Sequence, residues 1–192
     1  MSTSKYKLIA LFGESGSGKT TILNWMVEHY PNTLHQVIAC TTRPMREGES
    51  NGDPYNFLTI EDFTKKILNG EMIEATTFRD WFYGTELHAL SASSINIAIF
   101  SPEALNCILE DSRIQVVPVY ISTDGKIRLL RSLTREESPD CYEICRRYLA
   151  DLKDFADIDY DYLVWPNNID DDYLRGQCAQ RIFNQFRMGE SN

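Results

Sequence analysis

"YKLIALFGESGSGKTT" occupies residues 6–21. The run 6–12 reads as a buried strand. The glycine cluster behind it opens a helix that runs to about residue 30, with Pro31 following. Between strand and helix, Gly13 to Thr20 satisfies G-x-x-x-x-G-K-[ST]. Glycine tolerates the backbone angles that turn successive N–H groups toward one point, where they meet an anion. The helix adds the positive end of its dipole at the same point. Lys19 is placed to reach the outer phosphates of a nucleotide, and the Thr20 hydroxyl to hold Mg²⁺. The expected cradle is therefore Gly13, Ser15, Gly16, Ser17, Gly18, Lys19, Thr20 and Thr21, holding a nucleotide's phosphates and Mg²⁺, with Thr20 as the metal residue.

The strand–helix alternation recurs downstream. A short strand candidate covers 36–40, "INIAIF" (95–100) is a buried strand, and "SPEALNCILED" (101–111) is a helix with Ser101 as cap and Pro102 as its first residue. "QVVPVYIS" (115–122) is a strand, and a helix follows from about 124 to 132. The polar segment "LTREESPD" (133–140) precedes a helix over 142–155, a strand "YDYLVW" (160–165) and a last helix over 170–188. Strands separated by helices predict a parallel α/β sheet covered on both faces.

Residues 41–90 have a different character, polar and rich in turn residues. "EGESNGDP" (47–54) is a loop signal, with Asn-Gly and Asp-Pro as its turn pairs. Inside this stretch "TIEDFTKKILNG" (59–70) predicts a helix: Thr59 suits the N-cap, Asp62 the third helical position, and Gly70 the end.

With 192 residues, 43% of them apolar, one domain with a sizeable core is expected. The net charge of −9 disfavours nucleic acid and anionic membranes as partners. The five cysteines lack paired zinc-type spacing and read as free thiols of a reducing compartment. No signal peptide or membrane span is legible, so a soluble, cytoplasmic protein with a small-molecule substrate is the expectation, as a monomer or homodimer.

Beyond the phosphate loop stand "TTRPMREGE" (41–49), "DPYNF" (53–57), "NGEMIEA" (69–75) and "FYGT" (82–85). In this order and spacing they resemble the guanylate kinase family of nucleoside monophosphate kinases, over residues 6 to about 188. The resemblance implies a P-loop NTPase three-layer α/β fold with a central parallel sheet, an inserted acceptor-binding lobe and a short lid. In a single domain, the core would be 5–40 and 91–192, the lobe about 41–90 and the lid about 132–145. The implied activity is ATP-dependent phosphoryl transfer to a nucleoside monophosphate, GMP or dGMP, giving the diphosphate. In the family, residues at these positions bind the acceptor, which implies that role for Arg43, Arg46, Tyr55, Glu74, Tyr83 and Thr85.

The chemistry of these residues agrees. Arginines three apart suit bidentate grip of a phosphate dianion, and the two tyrosines offer hydroxyl donors to it. Glu74 is an acceptor-only carboxylate matching the adjacent N1–H and N2–H donors of guanine, and Thr85 can add a hydroxyl to the base.

A second basic cluster, Arg128, Arg131, Arg135 and Arg146-Arg147, surrounds the polar segment of an otherwise acidic chain and looks like a lid over the donor. Arg131, Arg135 and Arg147 best match the family's lid arginines, with Arg146 the alternative for the last. With Lys19 they are the catalytic candidates, neutralising charge on the transferring phosphoryl group. "PNN" (166–168) lies where the family often has an asparagine near the donor's adenine, which points to Asn168 or its neighbour Asn167.

"AIFSPEA" (98–104) departs from the family pattern: Ile99 and Ser101 stand where two aspartates are usual, and Ala39 replaces a base-contacting serine. Glu103 and Asp124 are candidate substitutes near the metal. Two rival readings follow. One is a kinase for another acceptor, such as a different or modified nucleotide or a ribose 1,5-bisphosphate-like sugar. The other is a catalytically weak binding module, against which the intact Lys19 and Thr20 speak.

Overall fold

The computed structural model describes residues 6–135, 137–158, 161–168 and 171–188. Strand β1 (Tyr6–Phe12) decides the architecture. Its side chains alternate, so Leu8, Ala10 and Phe12 enter one core cluster while Ile9 and Leu11 enter another, all five without solvent exposure. A strand buried on both faces belongs in the interior of a helix-covered parallel sheet.

β1 pairs in parallel with β8 (Ile95–Ile99) and β9 (Ile114–Ser122). Outside these, β2 (Leu34–Gln36) joins β8 and β10 (Leu163–Pro166) joins β9, again in parallel. The order is β10-β9-β1-β8-β2. On one face, Ile9 and Leu11 pack with Ile22 and Met26 of α1 (Lys19–His29) and Ile182 and Phe186 of α6 (Asp172–Met188). On the other, Leu8 and Phe12 pack with Leu105 and Ile108 of α3 (Pro102–Leu109). Each such fully buried large side chain contributes roughly 1.5–3 kcal/mol. This is the three-layer α/β arrangement that the strand–helix alternation predicts.

The expected strand over 36–40 divides instead. Leu34–Gln36 stays in the central sheet, and the chain then crosses to a second sheet at β3 (Cys40–Thr41). That sheet adds β4 (Ser50–Asn51), β5 (Pro54–Phe57), β6 (Met72–Phe78) and β7 (Trp81–Glu86), in the order β4-β5-β3-β7-β6. Only the helix was expected in this stretch, and it is present: α2 (Ile60–Leu68) is capped by the Thr59 hydroxyl, which accepts from the Asp62 N–H at 3.0 Å. Its fully buried Phe63 stacks on Phe82 of β7 with ring centroids 5.5 Å apart. Gly84 makes this possible, because a Cβ there would lie 2.8 Å from the Glu74 carbonyl oxygen and 2.9 Å from the Phe63 ring.

Helices α4 (Gly125–Thr134) and α5 (Cys141–Asp154) flank the polar segment near 133–140. Residue 160 of the expected last strand and residue 170 of the expected last helix lie outside the described residues. Among the described residues no helix is long and apolar enough to cross a membrane.

Candidate active site

The phosphate loop leaves β1 at Gly13 and enters α1 through Gly18, the N-cap, in the left-handed conformation (φ 90°). A Cβ on Gly18 would collide with the Asn167 amide. No side chain caps α1, so its first-turn N–H groups are left for an anion. Behind the loop, the Ser17 carbonyl accepts from the Thr123 hydroxyl at 2.9 Å, Asn167 Nδ2 at 2.7 Å and Arg131 Nη1 at 3.4 Å. These bonds tie the cradle to the ends of β9 and β10. Ser17 itself is fully buried with its Oγ unpartnered, and Thr20 and Thr21 are exposed on the first turn of α1.

Lys19 Nζ folds back onto the carbonyls of Gly13 at 2.7 Å and Glu14 at 2.9 Å. Burial pulls its ammonium down to about 8, opposed by the carboxylates of Asp151 and Glu14. Asp151, on α5, takes the Ser15 N–H at 2.8 Å and the Ser15 hydroxyl at 3.4 Å. Burial pushes the Asp151 carboxyl up, and those two hydrogen bonds with Lys19 and Arg128 pull it back. Arg128 is buried 3.6 Å from both Glu14 and Asp151, its guanidinium 4.9 Å over the Tyr148 ring.

In the second sheet, Arg43 is only 5% exposed. Its Nη2 donates to both oxygens of Glu49, at 2.9 and 3.0 Å. The guanidinium lies 5.7 Å from the Tyr55 ring, and the Tyr55 and Tyr83 rings are 5.8 Å apart. Arg46 has an exposed side chain, and its backbone N–H donates to Glu49 Oε2 at 2.8 Å. Glu74 and Thr85 face each other across the β6–β7 hairpin, where the Thr85 hydroxyl donates to Glu74 Oε1 at 2.7 Å. Burial pushes the Glu74 carboxyl up to about 7; the Thr85 hydrogen bond lowers it and the Glu103 charge raises it.

The arginines of the polar segment separate. Arg131 Nη2 donates to the Asn167 carbonyl at 3.0 Å, close behind the loop. Arg135 is the exposed C-cap of α4. Arg147 and Arg146 both turn onto Glu143, at 2.8 and 2.7 Å, where Arg79 from the β6–β7 turn joins them at 2.7 Å. Arg146 and Arg147 hold the Glu143 carboxyl down at about 2. Of the two asparagines, Asn167 is buried against the loop, while Asn168 is exposed and accepts from the Asp124 N–H at 2.8 Å.

A cavity of about 750 Å³ joins the two sheets. Its wall carries Gly13, Ser15 and Lys19 from the loop and Tyr55, Glu74, Tyr83 and Thr85 from the second sheet. Arg43, Arg46, Arg131, Arg135, Arg147 and Asn168 stand outside that wall, Arg43 behind Tyr55. Ile99 and Ser101 line it without offering a carboxylate, and the Ser101 hydroxyl is occupied in capping α3. Glu103 is the carboxylate that α3 brings to this wall, whereas Asp124 caps α4.

Among the described residues no cluster of His, Cys, Asp and Glu could hold a metal ion alone. The Thr20 hydroxyl, exposed on the first turn of α1, is a donor that fits Mg²⁺ carried on nucleotide phosphates, which needs few protein oxygens. The bare start of α1, the unpartnered Ser17 Oγ and the Lys19 ammonium fit the phosphates themselves.

Sequence reading overlooked Glu49 and Asp151 as the groups lying on the two cationic grips. Glu49 had a signal, an acid three residues after Arg46 in "REGE". Asp151 had none, since its contact spans 136 positions.

A glycine-rich loop at the end of a parallel strand, opening on a cavity that a second, tyrosine-bearing sheet also walls, is the arrangement of a P-loop protein with room for a second ligand. Comparison with known proteins narrows the class. The family model described as "Guanylate kinase" matches residues 5–177. The guanylate kinase of Helicobacter hepaticus is 32% identical over 171 residues, covering 86% of this chain and 85% of the relative. That of Wolbachia pipientis wMel is 33% identical over 169 residues, covering 85% and 83%. The crystal structure of guanylate kinase from Anaplasma phagocytophilum superposes with a TM-score of 0.68 over 98% of this chain and 88% of that one, at 22% identity, and so shares the fold. The chain belongs to the guanylate kinase family.

Proposed function

We propose that this protein transfers the terminal phosphoryl group of ATP to GMP or dGMP, giving ADP and the nucleoside diphosphate. The observation that carries this reading is the single cavity walled by Lys19 and Ser15 on one side and by Tyr55, Glu74, Tyr83 and Thr85 on the other. Phosphoryl transfer asks the protein for in-line positioning, charge neutralisation and exclusion of water, with no covalent group. In our reading the backbone N–H groups of 15–21 and the Lys19 ammonium hold the donor phosphates. Thr20 supplies its hydroxyl to Mg²⁺, which screens the charge on those phosphates when bound.

Residues 41–90 form the acceptor lobe in this reading, with Arg43, Arg46, Tyr55 and Tyr83 holding the monophosphate. Glu74, once ionised, accepts from the guanine N1–H and N2–H, and Thr85 orients that carboxylate. A positive donor edge stabilises the ionised form, so base binding draws the Glu74 proton off near neutral pH. Segment 132–145 acts as the lid, and Arg131, Arg135 and Arg147 complete the charge neutralisation on closure, with Arg147 leaving Glu143.

A coupled assay of ATP with GMP, dGMP, AMP, dAMP, UMP, CMP and dTMP tests this. Turnover concentrated on GMP and dGMP is expected. Turnover with none of them, or equal turnover with adenine nucleotides, overturns the reading.

A further inference from the structure

The carboxylate on the phosphate loop has a consequence for donor choice. Asp151 takes the Ser15 N–H at 2.8 Å and is steadied from behind by Arg128 at 3.6 Å. One N–H cannot serve this carboxylate and a phosphate oxygen together, and two anions at one seat repel. Of the loop residues, Gly13, Ser15 and Lys19 line the cavity, while Gly18, Thr20 and Thr21 at the start of α1 do not. A phosphoryl group in transit must lie inside the cavity, where the acceptor is. The phosphates that the donor keeps belong at the start of α1.

We infer that Asp151 is a specificity-determining residue for the donor: its carboxylate holds the seat of the transferred phosphoryl group and competes with the terminal phosphate of ATP, but not with the phosphates that ADP retains. This rests on the reading of the loop as the donor site. Binding ATP then requires Asp151 to withdraw from Ser15, while ADP binds with Asp151 in place. If the seat is filled by Asp151 nine-tenths of the time, apparent ATP affinity falls about ten-fold. Asp151 lies on the same helix as Arg146 and Arg147, so its withdrawal and their release from Glu143 involve one element.

The test is the affinity of the full chain for ATP and for ADP, each with Mg²⁺ and without acceptor, by calorimetry in the wild type, Asp151→Asn and Asp151→Ala. Asn keeps the shape and an acceptor for the Ser15 N–H while removing the charge; Ala removes both. The proposal expects ATP to tighten about ten-fold in Asp151→Ala, and by less in Asp151→Asn, with ADP changed less than two-fold in either. Thermal melting and far-UV circular dichroism establish that both variants are folded, and the isosteric Asn variant carries the test if Ala does not fold. An unchanged ATP-to-ADP ratio, equal tightening of both nucleotides, or weaker ATP binding overturns it. Wild-type protein that binds neither nucleotide removes the donor reading itself, and this inference with it.

Discussion

The two halves of the site that we propose to grip phosphate are built from different material. At the loop the donors are backbone N–H groups, aimed by left-handed glycines and tied down by Thr123, Asn167 and Arg131 on the Ser17 carbonyl. In the second sheet the candidates are side chains: Arg43, 5.7 Å over the Tyr55 ring, and Tyr83, edge-on to Tyr55 at 5.8 Å. A backbone grip cannot be retuned one residue at a time, except at Lys19. A side-chain grip can, and the three positions that depart from the family pattern, Ala39, Ile99 and Ser101, line the cavity it faces. Both grips nevertheless solve one electrostatic problem alike. Each cationic seat is matched by an acid of the chain, Asp151 on Ser15 and Glu49 on Arg43, so that neither is left without a counter-charge.

The sharpest way to break this contrast is Lys19→Ala. Loss of the one side-chain cation in the backbone grip is expected to lower kcat by about 10²–10³-fold with an unchanged circular dichroism spectrum; retained turnover would remove the loop from the chemistry. Arg43→Ala comes next. It should lower kcat/KM for GMP by about 10–100-fold while the KM for ATP stays within about two-fold. An equal effect on both substrates would erase the division into two halves.

Glu74→Gln should cost GMP about ten-fold or more in kcat/KM and leave ATP binding untouched. The same variant has a pH signature. The folded-state value of Glu74 is raised to about 7 by burial. Its neutral form is therefore favoured by folding, a contribution fully present below the ordinary value near 4.5 and lost as pH rises through 7. Wild-type stability relative to Glu74→Gln should fall across that window, by on the order of 3 kcal/mol in denaturant titrations. A flat difference would mean the carboxyl is not desolvated. The smallest effect is expected from Arg79→Ala, which removes a half-exposed tie between the second sheet and α5. Melting should shift by at most a few degrees and kcat/KM by less than about three-fold. A larger loss would mean that this pair holds the two regions in register.

How far the sequence could be read depended on how local the cause was. The β1–loop–α1 unit was legible because alternation, glycine angles and a helix start all act within a few residues. The Thr59 cap of α2 and the Ser101 cap of α3 were legible for the same reason. The second sheet was not. Its strands β3 and β4 are two residues long, too short to show a period, and Cys40 pairs with Gly84 and Asn56, which nothing near Cys40 announces. Among the site residues, Glu74 and Thr85 were named one by one from their side-chain chemistry, while the hairpin that pairs them belongs to the sheet the sequence did not show. Arg147 was readable as a cation, and its bond to Glu143 is an i,i+4 pair within α5; only the approach of Arg79 to the same carboxylate depends on the pose of that helix.

By itself the sequence determined a parallel α/β core, a glycine-rich loop of phosphate-binding pattern between β1 and α1, and the residue types proposed for a second pocket, since these follow from local periodicity, backbone freedom and side-chain chemistry. The tertiary structure decided that cradle and pocket share one cavity, that Glu74 is desolvated enough to titrate near neutrality, and that Asp151 lies on the Ser15 N–H. Those outcomes depend on which distant segments meet and on how much water they exclude, and neither quantity is carried by any short stretch of chain.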